Sequence, residues 1–278
     1  MKAKKILDNS IPETVSESKV LVTGGNGFVG GALVAELLTH KLKVAVSVRQ
    51  FSAKLPLESD QYEVGSISPE TDWSQSLQGV NVVIHLAARA HILNNDVINP
   101  LAEFRKVNTV GALNLANQAA KAGVKRFVFI SSIGVNGNNN IHPFTESDNP
   151  NPQEPYAVSK YEAEEGLIAL AKTTEMEVVI IRPPLVYGEN APGNFGSLMR
   201  WINKGVPLPF GAVHNKRSLV ALDNLVSFIL HCARYNKTPQ AANQVFLISD
   251  GEDVSTTELL QKVAKAFGKK ALLLPVPV

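Results

Sequence analysis

The patterned part of the chain begins at Lys19-Val20-Leu21-Val22-Thr23, a short β-rich run that stops at Gly24-Gly25. From Gly30 to His40 the apolar residues Leu33, Val34, Leu37 and Leu38 recur at helical spacing. Residues 43–48 (KVAVSV) read as a second strand. Residues 80–88 (VNVVIHLAA) and 124–131 (VKRFVFIS) are nearly continuous apolar runs, the mark of strands buried on both faces of a parallel sheet. A long helix is predicted between them over 100–122. Another is predicted over 155–173, followed by a strand at 176–182. Strand and helix alternate, so the pattern predicts an α/β fold with a doubly wound parallel sheet over 19–182. Beyond Arg182 the rhythm changes. Residues 183–222 are rich in Pro and Gly and predict only short elements. A helix at 223–235, a strand near 245–248 and a helix near 255–267 follow, giving a smaller C-terminal lobe over 183–278, from which later segments can return to the sheet.

Composition narrows the function classes. A chain of 278 residues is long enough for one large α/β domain with a sizeable core. The hydrophobic share of 45% against 19% charged is globular and excludes a disordered chain. Lys+Arg number 27 and Asp+Glu 25, a net charge of +2. That balance leaves no reason to expect a nucleic-acid or membrane partner. The one cysteine, Cys232, excludes an intrachain disulfide and fits a reducing, cytoplasmic setting. The six histidines show no metal-ligand spacing, so no metal is expected. No apolar run approaches the roughly 20 residues that span a bilayer. Residues 1–18 are basic and then polar, without the apolar stretch of a signal peptide, and read as a flexible leader.

The first chemical motif lies between the first strand and the first helix. Gly24, Gly27 and Gly30 have the spacing G-x-x-G-x-x-G, with Phe28 and Val29 between the last two. The first glycine permits the tight turn, the second lets backbone approach a pyrophosphate, and the third lets helix pack on strand. The helix N-terminus then offers free N–H groups to the anion. A dinucleotide cofactor, NAD or NADP, is the expectation. The second strand ends in Ser47-Val48-Arg49-Gln50, with no acid to accept the adenosine ribose hydroxyls of NAD. Arg49 is a partner for the 2′-phosphate of NADP, which tilts the expectation to NADP(H) with NAD still open.

Tyr156-Ala-Val-Ser-Lys160 places Tyr and Lys on one helical face. Tyr ionises near 10, so a base near neutrality needs a shift of about 3 units, roughly 4 kcal/mol. A cation at about 4 Å supplies an amount of that size at an effective dielectric of 20. Ser132, just after the apolar run at 124–131, is placed to hydrogen-bond the substrate oxygen. Ser132, Tyr156 and Lys160 are the expected catalytic set.

The motifs T-G-G-x-G-F-x-G (23–30), H-L-A-A (85–88), S-S-x-x-V-x-G (131–137), Y-x-x-x-K (156–160) and R-P-P-L-V-Y-G (182–188) occur in this order. Together they resemble the extended short-chain dehydrogenases, the nucleotide-sugar epimerase/dehydratase family, from about residue 19 onward. The resemblance implies a Rossmann domain that binds NAD(P). It implies that Tyr156 exchanges a proton with a sugar hydroxyl or ketone while nicotinamide takes or gives hydride, and that Lys160 also holds the nicotinamide ribose. It puts Ala87 and Ala88 beside the cofactor, Asn108 on the long helix near it, and Pro183 against the nicotinamide end. The chain departs from the family in several places. Asn136 stands where Tyr is frequent, removing a substrate-side aromatic contact. Ile133-Gly134 replace the Asp-Glu pair of the sugar 4,6-dehydratases, which argues against dehydration. Ser66 stands where an acid usually follows the third strand. The sequence stops at Pro275-Val276-Pro277-Val278, so the arginine that the family carries in its tail is either absent or trimmed off.

In the second lobe Lys216-Arg217-Ser218-Leu219-Val220 resembles the family's R-D-x-x-x-V segment, with Ser218 where Asp is usual. The resemblance makes Arg217 the candidate for the substrate diphosphate, which guanidinium matches bidentately, with a surface arginine at a strand start as the plain alternative. Asn194 resembles a substrate-phosphate contact, with a helix N-cap as its plain alternative. Asp223 reads as a helix cap, His85 as a core histidine, and His91 as a weak candidate for the sugar pocket. The expected substrate is a nucleotide-sugar, UDP-hexose first, reacting at C4. A 4-epimerase leads. An NADPH-dependent 4-keto reductase of deoxy-sugar synthesis competes closely, and a non-catalytic NADP sensor is a third reading. A homodimer is expected through the helices at 100–122 and 155–173, where Leu101, Phe104 and Leu113 exceed what one sheet face needs.

Overall fold

The computed structural model describes residues 18–90 and 99–276. Residues 1–17 of the leader, residues 91–98 with the candidate His91, and the last two residues lie outside them. The central sheet has seven strands: β1 (Lys19–Thr23), β2 (Lys43–Val48), β3 (Asp60–Glu63), β4 (Val80–His85), β5 (Arg126–Ile130), β6 (Glu177–Arg182) and β10 (Gln244–Leu247). Their order across the sheet is β3-β2-β1-β4-β5-β6-β10, and every pair is parallel. Strand order reverses between β1 and β4, which opens a crevice at their carboxyl ends. The expected doubly wound sheet is therefore present.

Both faces are covered, as a parallel sheet requires. On one side α1 (Phe28–Thr39) and α6 (Leu222–Ala233) bury Leu33, Val34 and Leu37 with Leu225, Ile229 and Leu230 against Val22, Val46 and Ile84. On the other, α3 (Ala112–Lys121) and α4 (Pro155–Thr173) bury Leu115, Ala119 and Leu167 against Val83, Phe127, Phe129 and Ile180. The buried Arg126 ties the sheet to the last turn of α6 and to the chain just beyond it. Its guanidinium pairs with Glu177 at 2.6 Å and donates to the Cys232 and Thr238 carbonyls at 2.6 and 3.0 Å.

The long helix expected over 100–122 is divided. It consists of α2 (Pro100–Phe104), a π-helical segment at Arg105–Gly111, and α3. The segment at 183–222, expected to hold only short elements, contains the 11-residue helix α5 (Gly193–Asn203) as well as the short strands β7 (Leu185–Tyr187), β8 (Lys216–Arg217) and β9 (Leu219–Ala221). With β11 (Val254–Ser255) and α7 (Thr256–Ala266), α5 and β8 form the smaller lobe around Ile202, Leu208, Leu260 and Ala264. Asp223 does not cap α6. Ala221 is the N-cap residue, and the Asp250 carboxylate accepts its N–H at 3.0 Å.

Candidate active site

The glycine turn sits at the crevice. Gly24 has φ +72°, which favours glycine, and a Cβ there would come within 2.9 Å of the Ala87 nitrogen. A Cβ on Gly30 would collide with the Gly24 carbonyl oxygen. At Gly27, the N-cap of α1, an added Cβ would meet only the Gly24 oxygen at 3.2 Å, so the space in front of the helix is open. No side chain caps α1, and its first N–H groups face that space. The turn after β4 is stapled alongside. The buried Thr23 hydroxyl accepts the Ala87 N–H at 3.1 Å and bonds His85 Nδ1 at 2.8 Å. Ala87 is half-buried and Ala88 exposed. These features fit a dinucleotide pyrophosphate. His85 is a core residue, as expected, but only its Nδ1 is satisfied; Nε2 has no partner. Burial and the nearby Lys160 charge push the ring down to about 3, so it is neutral near pH 7.

On the far side of the crevice, Tyr156 and Lys160 project from one face of α4. Tyr156 is half-buried, its ring edge-on to Phe104 at 5.9 Å, and burial raises its hydroxyl above 10. Lys160 is 1% exposed, with Nζ 3.8 Å from the centre of the Phe129 ring. Burial pushes it down to about 7, against a smaller upward pull from Glu164. Ser132 follows β5 and starts a short 3₁₀ turn at Ile133–Val135. Its hydroxyl accepts the Gly134 N–H at 3.1 Å, which leaves its proton free to donate. Gly134 packs against Ala157, next to Tyr156, and a Cβ there would lie 3.3 Å from the Ala157 Cβ.

Two buried polar networks hold these groups. Asn108, in the π-helical segment, donates from Nδ2 to the Arg89 carbonyl and to Ser159 Oγ, both at 3.0 Å, and accepts the Arg89 N–H at 2.8 Å. Both its amide hydrogens are used, so it clamps the turn after β4 to α4 between Tyr156 and Lys160. The second network joins Ser131, Glu164, Arg182 and Asn136. Arg182 forks onto Glu164 at 2.5–3.2 Å and reaches Asn136 Oδ1 at 3.0 Å, and Ser131 donates to Glu164. Asn136 is buried in this network and also donates to the Thr145 carbonyl, so it takes a packing role rather than facing a substrate. Pro183 is buried, and its carbonyl accepts the Ile133 N–H at 3.0 Å.

Arg49 is exposed, one residue past β2. In the smaller lobe, Arg217 lines an open cavity of about 490 Å³ with Phe210, Val213, His214, Asn215 and Thr256. Asn194 is the second residue of α5, whose N-cap is Pro192, so the cap reading of Asn194 fails.

Comparison with known proteins decides the family. The NAD dependent epimerase/dehydratase family matches residues 20–248. A UDP-glucose 4-epimerase of Vibrio cholerae is 46% identical over 274 residues, covering 98% of this chain and 81% of that protein. The chain belongs to the NAD dependent epimerase/dehydratase family. An Escherichia coli O157:H7 relative, N-acetyl-alpha-D-glucosaminyl-diphospho-ditrans,octacis-undecaprenol 4-epimerase, is 30% identical over 266 residues, 93% of this chain and 76% of that one. Among solved structures, a Thermotoga maritima UDP-glucose 4-epimerase with UDP-glucose superposes with TM-score 0.77 at 27% identity, covering 93% of this chain and 86% of that one. MoeE5 in complex with UDP-glucose and NAD superposes with TM-score 0.78 at 25% identity, covering 92% and 84%.

Within this epimerase/dehydratase fold a chain of contacts links these groups: Gly24 abuts Ala87, the Lys160 charge reaches His85 beside Thr23, Gly134 packs on Ala157 next to Tyr156, and Pro183 accepts from Ile133 next to Ser132. Arg217 opens onto the separate cavity of the smaller lobe. Sequence reasoning missed the buried Thr23–His85 pair and the Ser131–Glu164–Arg182–Asn136 network. Glu164, four residues after Lys160 on the same helix face, is the signal that could have found the second.

Proposed function

We propose that this protein is an NAD-dependent 4-epimerase of a nucleotide-linked hexose, with UDP-glucose and UDP-galactose as the first pair to test. The observation that carries the reading is the buried Lys160 one turn from Tyr156, on the crevice that also receives the glycine turn. The 46% identity to a Vibrio cholerae UDP-glucose 4-epimerase supports the same reading. Gly24, Gly27 and Gly30 hold the pyrophosphate, with Phe28 and Val29 presenting the first N–H groups of α1. Lys160 holds the nicotinamide ribose, and Ala87, Ala88 and Pro183 form the walls. A nicotinamide cofactor bound there would supply the hydride chemistry at C4, acceptance in the oxidised form and return in the reduced form.

The chain's own groups supply the rest. Tyr156 takes the proton of the C4 hydroxyl and gives it back after the sugar turns over. Burial alone moves the Tyr156 hydroxyl the wrong way, so the cationic form of Lys160 is what makes that proton transferable. Ser132 donates to the C4 oxygen. Asn108 is a positioning residue, because its amide is spent on Arg89 and Ser159. Ile133 and Gly134 carry no acid or base, so loss of water from C5–C6 has no catalyst there. Arg217 binds the diphosphate from the smaller lobe.

Arg49, with no acid beside it, supports a second reading: NADP(H) as cofactor and 4-keto reduction as the reaction. Identifying the cofactor released from fresh protein separates the two, since an epimerase retains NAD and a reductase exchanges NADPH. We also propose a homodimer built on α2–α3 and α4. Val110 and Ile168 are exposed on these helices, and Arg105 bonds Glu162 between them.

The deciding experiment is interconversion of UDP-glucose and UDP-galactose by wild type and Tyr156→Phe. The variant should lose about 10²- to 10⁴-fold in turnover and bind NAD as before. Comparable turnover in the variant removes the mechanism.

A further inference from the structure

Charge is segregated in this chain in a way that its net value of +2 conceals. Residues 190–222 and 259–278 carry eight Lys or Arg and no Asp or Glu. Arg217 lines the cavity of the smaller lobe, Lys216 precedes it on β8, and Lys262 is paired with Glu252. The remaining five, Arg200, Lys204, Lys265, Lys269 and Lys270, are exposed around the C-terminal ends of α5 and α7. Large apolar side chains are exposed in the same segments: Trp201 (46% exposed), Val206, Phe267, Leu272 and Leu274.

The segments form one corner. Lys269 donates to Asn203 at the end of α5, the Val206 N–H bonds the Trp201 carbonyl at 3.0 Å, and Leu208 pairs with Leu272 and Leu274 at 2.8 Å. Beneath them lies the small core of Ile202, Leu208, Leu260 and Ala264.

We propose that this corner docks the protein on the surface of an anionic lipid bilayer. An anionic partner is called for by five cations without a carboxylate among them. A nucleic acid would meet the lysines and leave Phe267, Leu272 and Leu274 in water. A bilayer surface takes both, because apolar side chains enter the acyl boundary, Trp sits at headgroup depth, and Lys and Arg extend to the headgroups. No helix among the described residues is long and apolar enough to cross a membrane, so the contact is peripheral. The 11-residue α7 runs from Thr256, at the Arg217 cavity, to Ala266 beside the corner. The cavity also adjoins the corner directly: Phe210 and Ala212 line it, and the Gly211 N–H between them bonds the Leu274 carbonyl at 2.8 Å. The inference does not depend on which sugar or cofactor the crevice takes.

The two tryptophans make the test direct. Trp73 is fully buried, so a change in emission on adding vesicles reports Trp201. With vesicles of phosphatidylglycerol and phosphatidylcholine in equal amounts, the emission should shift to the blue and the protein should sediment with the lipid. Vesicles of phosphatidylcholine alone should do neither, and salt should weaken the binding. Each cation removed should cost about fivefold in affinity, so Lys265→Gln with Lys270→Gln should cost about 25-fold. Trp201→Ser with Phe267→Ser should abolish sedimentation, while thermal unfolding of both double variants stays cooperative. Failure to bind anionic vesicles, or binding unchanged in both double variants, overturns the proposal. So does a Trp201 emission that is already blue and shielded from iodide without lipid, since protein then covers the corner.

Discussion

Replacing Lys160 by Met should stabilise the protein while destroying its activity, and the gain should depend on pH in a defined direction. Lys160 is buried against an aromatic ring, and Glu164, the carboxylate one turn away, is already engaged by Arg182. Burial lowers the lysine from 10.5 to about 7. The unfolded chain therefore binds this proton more readily throughout the interval between those values. Stability rises with pH across that interval, and the full penalty is present below it. The shift corresponds to about 4 kcal/mol of destabilisation at pH 7 and about 2 kcal/mol at pH 9. Methionine fills a similar volume without a charge to desolvate. The Lys160→Met protein, free of cofactor, should be more stable than wild type at pH 7 by up to about 4 kcal/mol. Its advantage should shrink by about 2 kcal/mol at pH 9. Urea unfolding at both pH values measures this, and the difference between the two gaps cancels every other titrating group. A variant less stable than wild type at pH 7, or a gap that stays constant with pH, would refute the reasoning.

Arg49→Ala should weaken NADPH more than NADH by about 10- to 150-fold, the worth of one charged hydrogen bond; titrating both cofactors reads this, and equal losses make Arg49 a solvated surface residue. Arg217→Ala should raise KM for the nucleotide-sugar by a similar factor with kcat little changed, because the diphosphate keeps its charge through the reaction. Calorimetry with UDP alone checks it, and unchanged UDP binding removes Arg217 as the anchor.

The parts of the fold that were legible in the sequence are those whose burial leaves a signature. VNVVIH and RFVFI are apolar at nearly every position because helices cover both faces of β4 and β5. β3 carries no such mark. Its Asp60-Gln-Tyr-Glu63 is polar, half-exposed, and paired only with β2 at the sheet edge. α5 was hidden by Pro192, Gly193 and Gly196, which read as loop punctuation. Pro192 turns out to be the N-cap, and Gly196 is small because a Cβ there would collide with the Ala191 carbonyl. The π-helical segment has no sequence pattern of its own, yet it sets where Asn108 points. Asn136 shows the limit of reasoning from one position at a time. Its environment is fixed by Arg182, 46 residues away.

The buried polar network also explains how α4 comes to face the crevice correctly. Its apolar residues are spread around the helix rather than gathered in one stripe, so apolar packing selects no single rotation. Its polar residues select one. Ser159 is fixed by Asn108 and by the Tyr156 carbonyl, and Glu164 by Ser131 and Arg182. The Ser159 carbonyl accepts from Thr109 at 2.8 Å. A turn of α4 by one residue, about 100°, would leave Glu164 and Arg182 buried and unpaired, at a cost of several kcal/mol. The ion pair thus acts as an index that holds Tyr156 against Phe104 and Lys160 over Phe129. Every buried polar side chain on this face of α4 then has hydrogen-bonded partners except Lys160, which has an aromatic face. On the proposed function Lys160 holds the cofactor ribose and serves Tyr156, so the residue whose burial weakens the empty fold is the one that a bound cofactor and substrate would stabilise.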